Sequence, residues 1–421
     1  MEKYVNPFEF QEDDPIIACV GDNGGTYNMD IKSGFQRTVE ILIDILNQEN
    51  EVEDILVYPI VYNARHSIEL SLKIIIERLW KIQKQKGINK SEEVILQEKK
   101  EIHTHDIKVL YNTIEKLGKI DRRIPEYYKD IEDLIKIYYF DTDGDAFKYE
   151  SDREDHPHMI QNGISHISVN TLGKQFKIVM NLFHNMIYFL EDCIREYNLN
   201  TFTKNLSRKD IEDISKLIPE RTKWGEDSFD KVKEEIKEKY NLSNKEFSNA
   251  LNIIQKHKKF CVNIGCELPY QQINKYELKE YAALVYESII EDNKIEDGWE
   301  TLQYDLSEIQ RMEKIWSKYR NTISRLTLNL LLTFAEMSQM YTAVEKIDDN
   351  FIYISESDFD VMYMIRKLKK KDVCKKVLVG MRKCGQISYE KKLVESLEQQ
   401  GLIVDIEGKD EYYEVKIDLK G

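Results

Sequence analysis

ILVYPIVYNARHSIELSLKIIIERLWKIQ, residues 55–83, decides how the amino-terminal half of this chain is read. Ile60, Ala64, Ile68, Leu72, Ile75 and Leu79 recur at three- and four-residue steps, which puts them on one stripe of an α-helix. Arg65, Glu69 and Lys73 follow at four-residue steps, a + − + line able to pair along the helix. An apolar stripe needs other helices to cover it, and the neighbouring sequence supplies them. One is predicted from about Ser33 to Gln48, carrying Val39, Leu42, Ile43 and Leu46. HDIKVLYNTIEKL (105–117) gives another, with His105 and Asp106 placed to cap its start, and 126–140 continues helical. TLGKQFKIVMNLFHNMIYFLEDCIREY (171–197) lines Phe176, Met180, Phe183, Ile187, Leu190 and Ile194 on one face. Residues 1–200 therefore read as an all-helical bundle. The segment 141–170, DTDGDAFKYESDREDHPHMIQNGISHISVN, interrupts it and has little period.

Residues 201–345 read as a helical middle domain. Ser243 and Glu246 in LSNKEF match a capping box, opening a helix to about Lys259. Two more helices are expected at 276–292 and, as one long element, at 308–341. Residues 346–421 differ. A Lys-rich helix over 358–385 precedes ISYEKKLVESLEQQGLI (387–403), which suits a helix ending at Gly401. VDIEGKDEYYEVKIDL (404–419) then alternates around a Gly408 turn as a β-hairpin does. Helices followed by a hairpin make a small, winged-helix-like α/β module, so the chain as a whole is expected to be mainly α.

No stretch approaches the ~18 apolar residues that a membrane span requires. The start, MEKYVNPFEFQEDDP, lacks the apolar core of a signal peptide. The six cysteines, Cys19, Cys193, Cys261, Cys266, Cys374 and Cys384, form no CxxC pair and fit a reducing, cytoplasmic setting. No zinc-like spacing is present, and neither a metal nor a cofactor is expected. DTDGD (141–145) has Ala146 where a Ca²⁺ loop needs glycine, so it reads as an acidic turn. The Gly21–Gly25 turn lacks the lysine of a phosphate-binding loop.

A net charge of −15 argues against coating duplex nucleic acid with the whole surface, because each phosphate contact needs a cation. The charge is segregated, however. Residues 361–400 hold 11 Lys/Arg against 4 Asp/Glu. Lys369 and the candidates Lys370, Lys371, Lys375, Lys376, Arg382 and Lys383 would contact a DNA or RNA backbone. A solvated helix face, or a module that docks on protein, fits the same pattern.

The first 200 residues resemble the HEPN family of helical-bundle domains. The resemblance rests on the order and spacing of YNARHSIELSLK (62–73), HDIKVLY (105–111) and DAFKYESD (145–152) before a final amphipathic helix. Many relatives read FRYP where this chain reads FKYE (147–150). The resemblance implies a metal-independent endoribonuclease that acts as a prokaryotic toxin or antiviral defence effector, as a homodimer. It also implies an Arg–His pair separated by a few residues, and Arg153 and His158 in DREDHPH (152–158) have that separation. The histidine would assist proton transfer at the ribose 2′-OH and the arginine would stabilise charge on the phosphate. Cleavage of RNA through its own 2′-OH does call for a group titrating near neutrality beside a fixed cation. His156 and His166 are near enough in sequence to substitute. The same seven residues read equally as a solvated, charged turn. The alternative to an enzyme is a non-catalytic HEPN-like sensor or adaptor that binds a nucleotide, nucleic acid or partner protein. There Arg65, His66, His105, Lys148 and Tyr149 would converge on a polar pocket for an anionic group, while Arg65 pairing with Glu69 would also tie its helix to the 145–158 loop.

Overall fold

A computed structural model of the chain describes residues 6–10, 12–24, 27–48, 51–88, 91–292, 313–315, 317–409 and 412–420. It is mainly α, ending in a two-stranded antiparallel hairpin. The chain divides into two units, Met1–Asn198 and Leu199–Gly421.

In the first unit, α1 (Asn28–Asn47) and α2 (Glu53–Gln85) are followed by α3 (Glu92–Ile102) and α4 (Ile107–Gly118). Two single turns, α5 (Pro125–Tyr128) and α6 (Glu132–Ile135), replace the continuous helix expected over 126–140. A third short helix, α7 (His158–Gln161), precedes the long α8 (Val169–Tyr197). The stripe on α2 does what its spacing demands: Ile60, Ala64, Ile68, Leu72, Ile75 and Leu79 are all buried. α1, α4 and α8 pack around it, contributing Val39, Leu110, Ile114, Phe183 and Leu190 to the core. Burial of such side chains is worth roughly 1.5–3 kcal/mol each, which fixes α2 as the axis of the unit. Asp106 caps α4, accepting from the amides of Lys108 at 2.8 Å and Val109 at 3.1 Å.

The second unit begins with α9 (Arg208–Leu217), α10 (Asp227–Tyr240), α11 (Asn244–Lys256) and α12 (Phe260–Asn263), which enclose a core from Leu206 to Ile264. Ser243 caps α11 through the Glu246 amide at 3.2 Å. A second core joins α13 (Lys275–Asp292), α14 (Arg325–Met337), α15 (Ala343–Glu356), α16 (Val361–Leu368), α17 (Lys371–Lys383) and α18 (Ile387–Gln399) to the hairpin. Position 345, where the sequence suggests a boundary, lies inside α15, and this core runs on either side of it from Tyr270 to Ile417. Of the long helix expected over 308–341, residues 308–312 lie outside the described residues, and Ser324 starts a separate helix by accepting from the Thr327 amide.

β1 (Leu402–Lys409) pairs with β2 (Tyr412–Leu419), and the pairing corrects the expected turn. Gly408 lies within β1, opposite Tyr413. A Cβ at Gly408 would fall 2.0 Å from the Tyr412 carbonyl oxygen, so the close approach of the strands is what requires glycine here. Gly401, with φ +102°, ends α18 as its position after the helix leads one to expect. No described helix is long and apolar enough to cross a membrane.

Candidate functional site

Arg65 is the centre of the polar interior of the first unit. α2 places it one turn before Glu69, and Nη1 donates to Glu69 Oε2 at 3.0 Å. Nη2 donates to two backbone carbonyls, of His105 at 2.7 Å and Asp141 at 2.8 Å. Nε lies 2.8 Å from Asp141 Oδ2. The guanidinium therefore binds α2 to the start of α4 and to the DTDGD turn. Only 3% of its side chain is exposed, so its charge is spent inside the protein and not on a ligand at the surface. Unpaired, such a charge would cost several kcal/mol to bury, and two carboxylates with two carbonyls offset that cost.

The DTDGD turn is shaped around this arginine. Asp141 Oδ1 accepts from the amides of Asp145 at 3.0 Å and Ala146 at 3.2 Å, closing the turn, while Oδ2 faces Arg65. Gly144 has φ +74°, and a Cβ there would lie 2.8 Å from Arg65 Nη1. Glycine is thus required twice, for its backbone and for the room it leaves. Asp141 is the residue that sequence reasoning missed: the acidic turn was legible, but its partner is 76 positions upstream.

Glu69 is the second hub. Besides Arg65, it accepts from Lys73 Nζ at 2.7 Å and lies 3.0 Å from His105 Nδ1. Burial opposes its charge, but Lys73, His105 and Arg65 together hold the carboxyl below its ordinary value. His66 Nδ1 is 4.0 Å from the other Glu69 oxygen. The His66 ring meets the edge of Phe35, centroids 4.5 Å apart, and stacks parallel to Tyr62 at 5.9 Å. Burial lowers the His66 pKa from the ordinary 6.5; Glu69 opposes this, while Lys148, Arg65 and Lys73 add to it. The imidazole is accordingly neutral at neutral pH.

Lys148 is exposed, and its Nζ sits 4.9 Å from the centroid of the Tyr62 ring. Among the described residues it has no salt-bridge partner, which leaves its charge for a ligand. Tyr149 beside it is 65% exposed. His66, His105 and Lys148 thus gather about the Arg65–Glu69 brace, whereas Arg65 itself is sealed beneath them.

DREDHPH is an ordered turn. Asp152 Oδ1 accepts from the amides of Glu154 at 2.8 Å and His156 at 3.0 Å, and Ser151 bridges to Pro157. Arg153 lies on the exposed side of this turn. His158 lies at its base, 8% exposed, with Nε2 3.7 Å from Asp145 Oδ1 and, among the described residues, no hydrogen-bond partner. The arginine and the histidine therefore occupy different environments. His156 is exposed near Asp152, at 3.5 Å. His166 lines a surface groove with Glu53, Asp54, Tyr58 and Met159.

In the second unit three of the basic candidates are already paired with carboxylates. Lys371 meets Asp418 and Lys375 meets Asp372, each at 3.1 Å. Arg382 Nε donates to Glu390 at 2.8 Å, and Lys383 is buried. Lys370 and Lys376 are exposed. Among the described residues no group of three or more His, Cys, Asp or Glu is arranged to hold a metal ion.

Comparison of the chain with protein-family models, with curated protein sequences and with solved structures finds no match.

Proposed function

We propose that the chain is an RNA-directed protein of HEPN-like type, a prokaryotic defence or toxin effector, and that its phosphate site is formed by Lys148, His66 and His105. One observation carries this reading: a lysine that is exposed and has no salt bridge among the described residues lies over Tyr62, next to a half-buried histidine whose pKa burial lowers, at the rim of the Arg65–Glu69 brace. Lys148 supplies charge to a phosphate, and the exposed Tyr149 offers a face on which a base can stack. The charge of −15 confines such contact to a patch, which suits a short single-stranded segment better than a long duplex. In this reading the C-terminal helices and hairpin form a winged-helix-like module for protein contact. The pairing of Lys371, Lys375 and Arg382 with carboxylates supports that role over backbone binding.

The test is fluorescence anisotropy of a labelled single-stranded RNA with the full chain in EDTA. Binding weakened several-fold by Lys148→Ala is the expected result; equal affinity for wild type and variant would remove this site. A second reading, cleavage by Arg153 and His158, is favoured by the buried, unpartnered His158 Nε2. It expects labelled RNA to be cut in EDTA and cutting to be lost in Arg153→Ala and in His158→Ala. Cutting at the wild-type rate in both variants would remove the pair from the mechanism.

A further inference from the structure

Glu69 does more than neutralise Arg65. Its carboxylate meets two imidazoles, each on the Nδ1 side: His105 at 3.0 Å from Oε1, and His66 at 4.0 Å from Oε2. The hydrogen bond holds His105 through Nδ1 and turns its Nε2 away from the carboxylate, and the Nδ1 edge of His66 faces the same carboxylate without bonding it. Both rings reach the surface, with 56% of the His105 side chain and 25% of the His66 side chain exposed. Among the described residues neither Nε2 has a hydrogen-bond partner. One buried carboxylate thus faces two imidazoles that reach the surface, and the exposed Lys148 lies on the His66 side of them, over Tyr62.

We infer that His66 and His105 are the general base and general acid of an RNA-cleaving site, an inference that rests on the RNA-directed reading above. His66 Nε2 takes the proton from a ribose 2′-OH. The 2′-oxygen attacks the adjacent phosphorus as the P–O5′ bond breaks, and its electron pair leaves on O5′. His105 Nε2 gives O5′ its proton. The products are a 2′,3′-cyclic phosphate and a 5′-hydroxyl, and the balance calls for no oxidant, reductant or water. Lys148 faces the charge that builds on the non-bridging oxygens. The state of His66 suits its part, because a base must begin neutral, and burial first, then the surrounding cations, lowers its pKa. Arg65 and Glu69 are positioning residues: Arg65 holds the backbone of His105 through its carbonyl, and Glu69 sets the tautomer of the His105 ring.

The experiment incubates the full chain with end-labelled single-stranded RNA in EDTA and follows both the cyclic-phosphate product and RNA binding. His105→Asn alters an exposed side chain, which separates its effect from folding; His66→Gln is checked by its thermal melt. Each substitution is expected to slow cleavage at saturating RNA about 10²–10⁴-fold, as removal of an acid or a base does, beyond any loss of RNA affinity. The acidic limb of the wild-type rate profile is expected below pH 6.5, because burial and cations depress His66, and His66→Gln is expected to abolish that limb. Wild-type rates in both variants would overturn the inference and leave the RNA-directed reading standing. RNA binding without any cleavage by the wild type would do the same. Neither binding nor cleavage by the wild type would overturn both.

Discussion

The two units each bury an arginine that precedes a glutamate by four residues, and they put the pair to different use. Arg65 pairs with Glu69 and Arg208 with Glu212, at 3.0 and 3.5 Å. In the second unit Arg208 is fully buried, donates from Nε to Glu345 at 2.5 Å, and lies over the rings of Phe260 and Tyr341. Its histidine, His257, approaches Glu345 at 3.1 Å and is itself only 8% exposed. Arg208, His257 and Glu345 all end in the interior, joining α9, α12 and α15, and only Lys216 and Lys259, paired with Glu212, lead toward solvent. In the first unit the network continues outward through His66 and His105. The difference teaches that a buried Arg–Glu pair does not mark a site by itself. What matters is whether imidazoles, which titrate near neutrality, carry it to solvent, since a pair whose histidine is sealed can only stabilise or specify the fold.

The largest effect that could break this comparison is in the sealed network. Arg208→Met leaves the buried Glu345 with His257 alone, while Glu212 keeps Lys259 and Lys216, and is expected to cost about 3–5 kcal/mol in urea denaturation. A loss below about 1 kcal/mol would show that the network is dispensable. Acid should open the same network. Burial opposes the Glu345 charge, yet His257 and Arg208 hold its carboxyl well below the ordinary 4.5. A carboxyl depressed in the folded state stabilises fully above its unfolded value and loses that contribution as pH falls toward the folded one. The stability gap between wild type and Glu345→Gln should accordingly be widest near neutrality and narrow below pH 4.5. A gap independent of pH would mean that the carboxylate charge is not what the site uses.

A smaller effect sharpens the other side. Gly144→Ala brings a Cβ onto Arg65 and forces a left-handed backbone on alanine, at a cost of about 1–3 kcal/mol. Unlike Arg208→Met, it should also weaken RNA binding, because the displaced guanidinium no longer holds His105. Stability loss with unchanged RNA affinity would separate the brace from the site. The smallest effect is Lys148→Ala: stability should stay within about 0.5 kcal/mol of wild type. The salt dependence of RNA affinity should fall by about 0.7 in log–log slope, one phosphate contact on a single strand.

The local half of this arrangement could be read from the sequence, and the long-range half could not. Arg65, Glu69 and Lys73 declare themselves by four-residue steps, and Asp106 by its place before an apolar run. Nothing periodic links Arg65 to Asp141, or Arg208 to Glu345 across 137 positions. Helix breaks were hard to see for a related reason. The stretch 358–385 has the propensity of one helix, yet α16 and α17 separate at Lys369–Lys370. Met364, Ile365 and Leu368 before the break, and Cys374, Val377 and Leu378 after it, all reach the core. On one continuous helix those two stripes would be out of phase, and the break absorbs the slip. The burial pattern decides this, and burial depends on partners that are distant in sequence.

The reach of Arg65 has a consequence for synthesis. Its partners lie 40 and 76 residues downstream, so a chain still emerging from the ribosome cannot seat the guanidinium until Asp141 is out. Closing those loops costs entropy that only the later contacts return. Glu69 and its two imidazoles therefore stay unaligned until most of the first unit has been translated, and the brace is completed late by chain order alone.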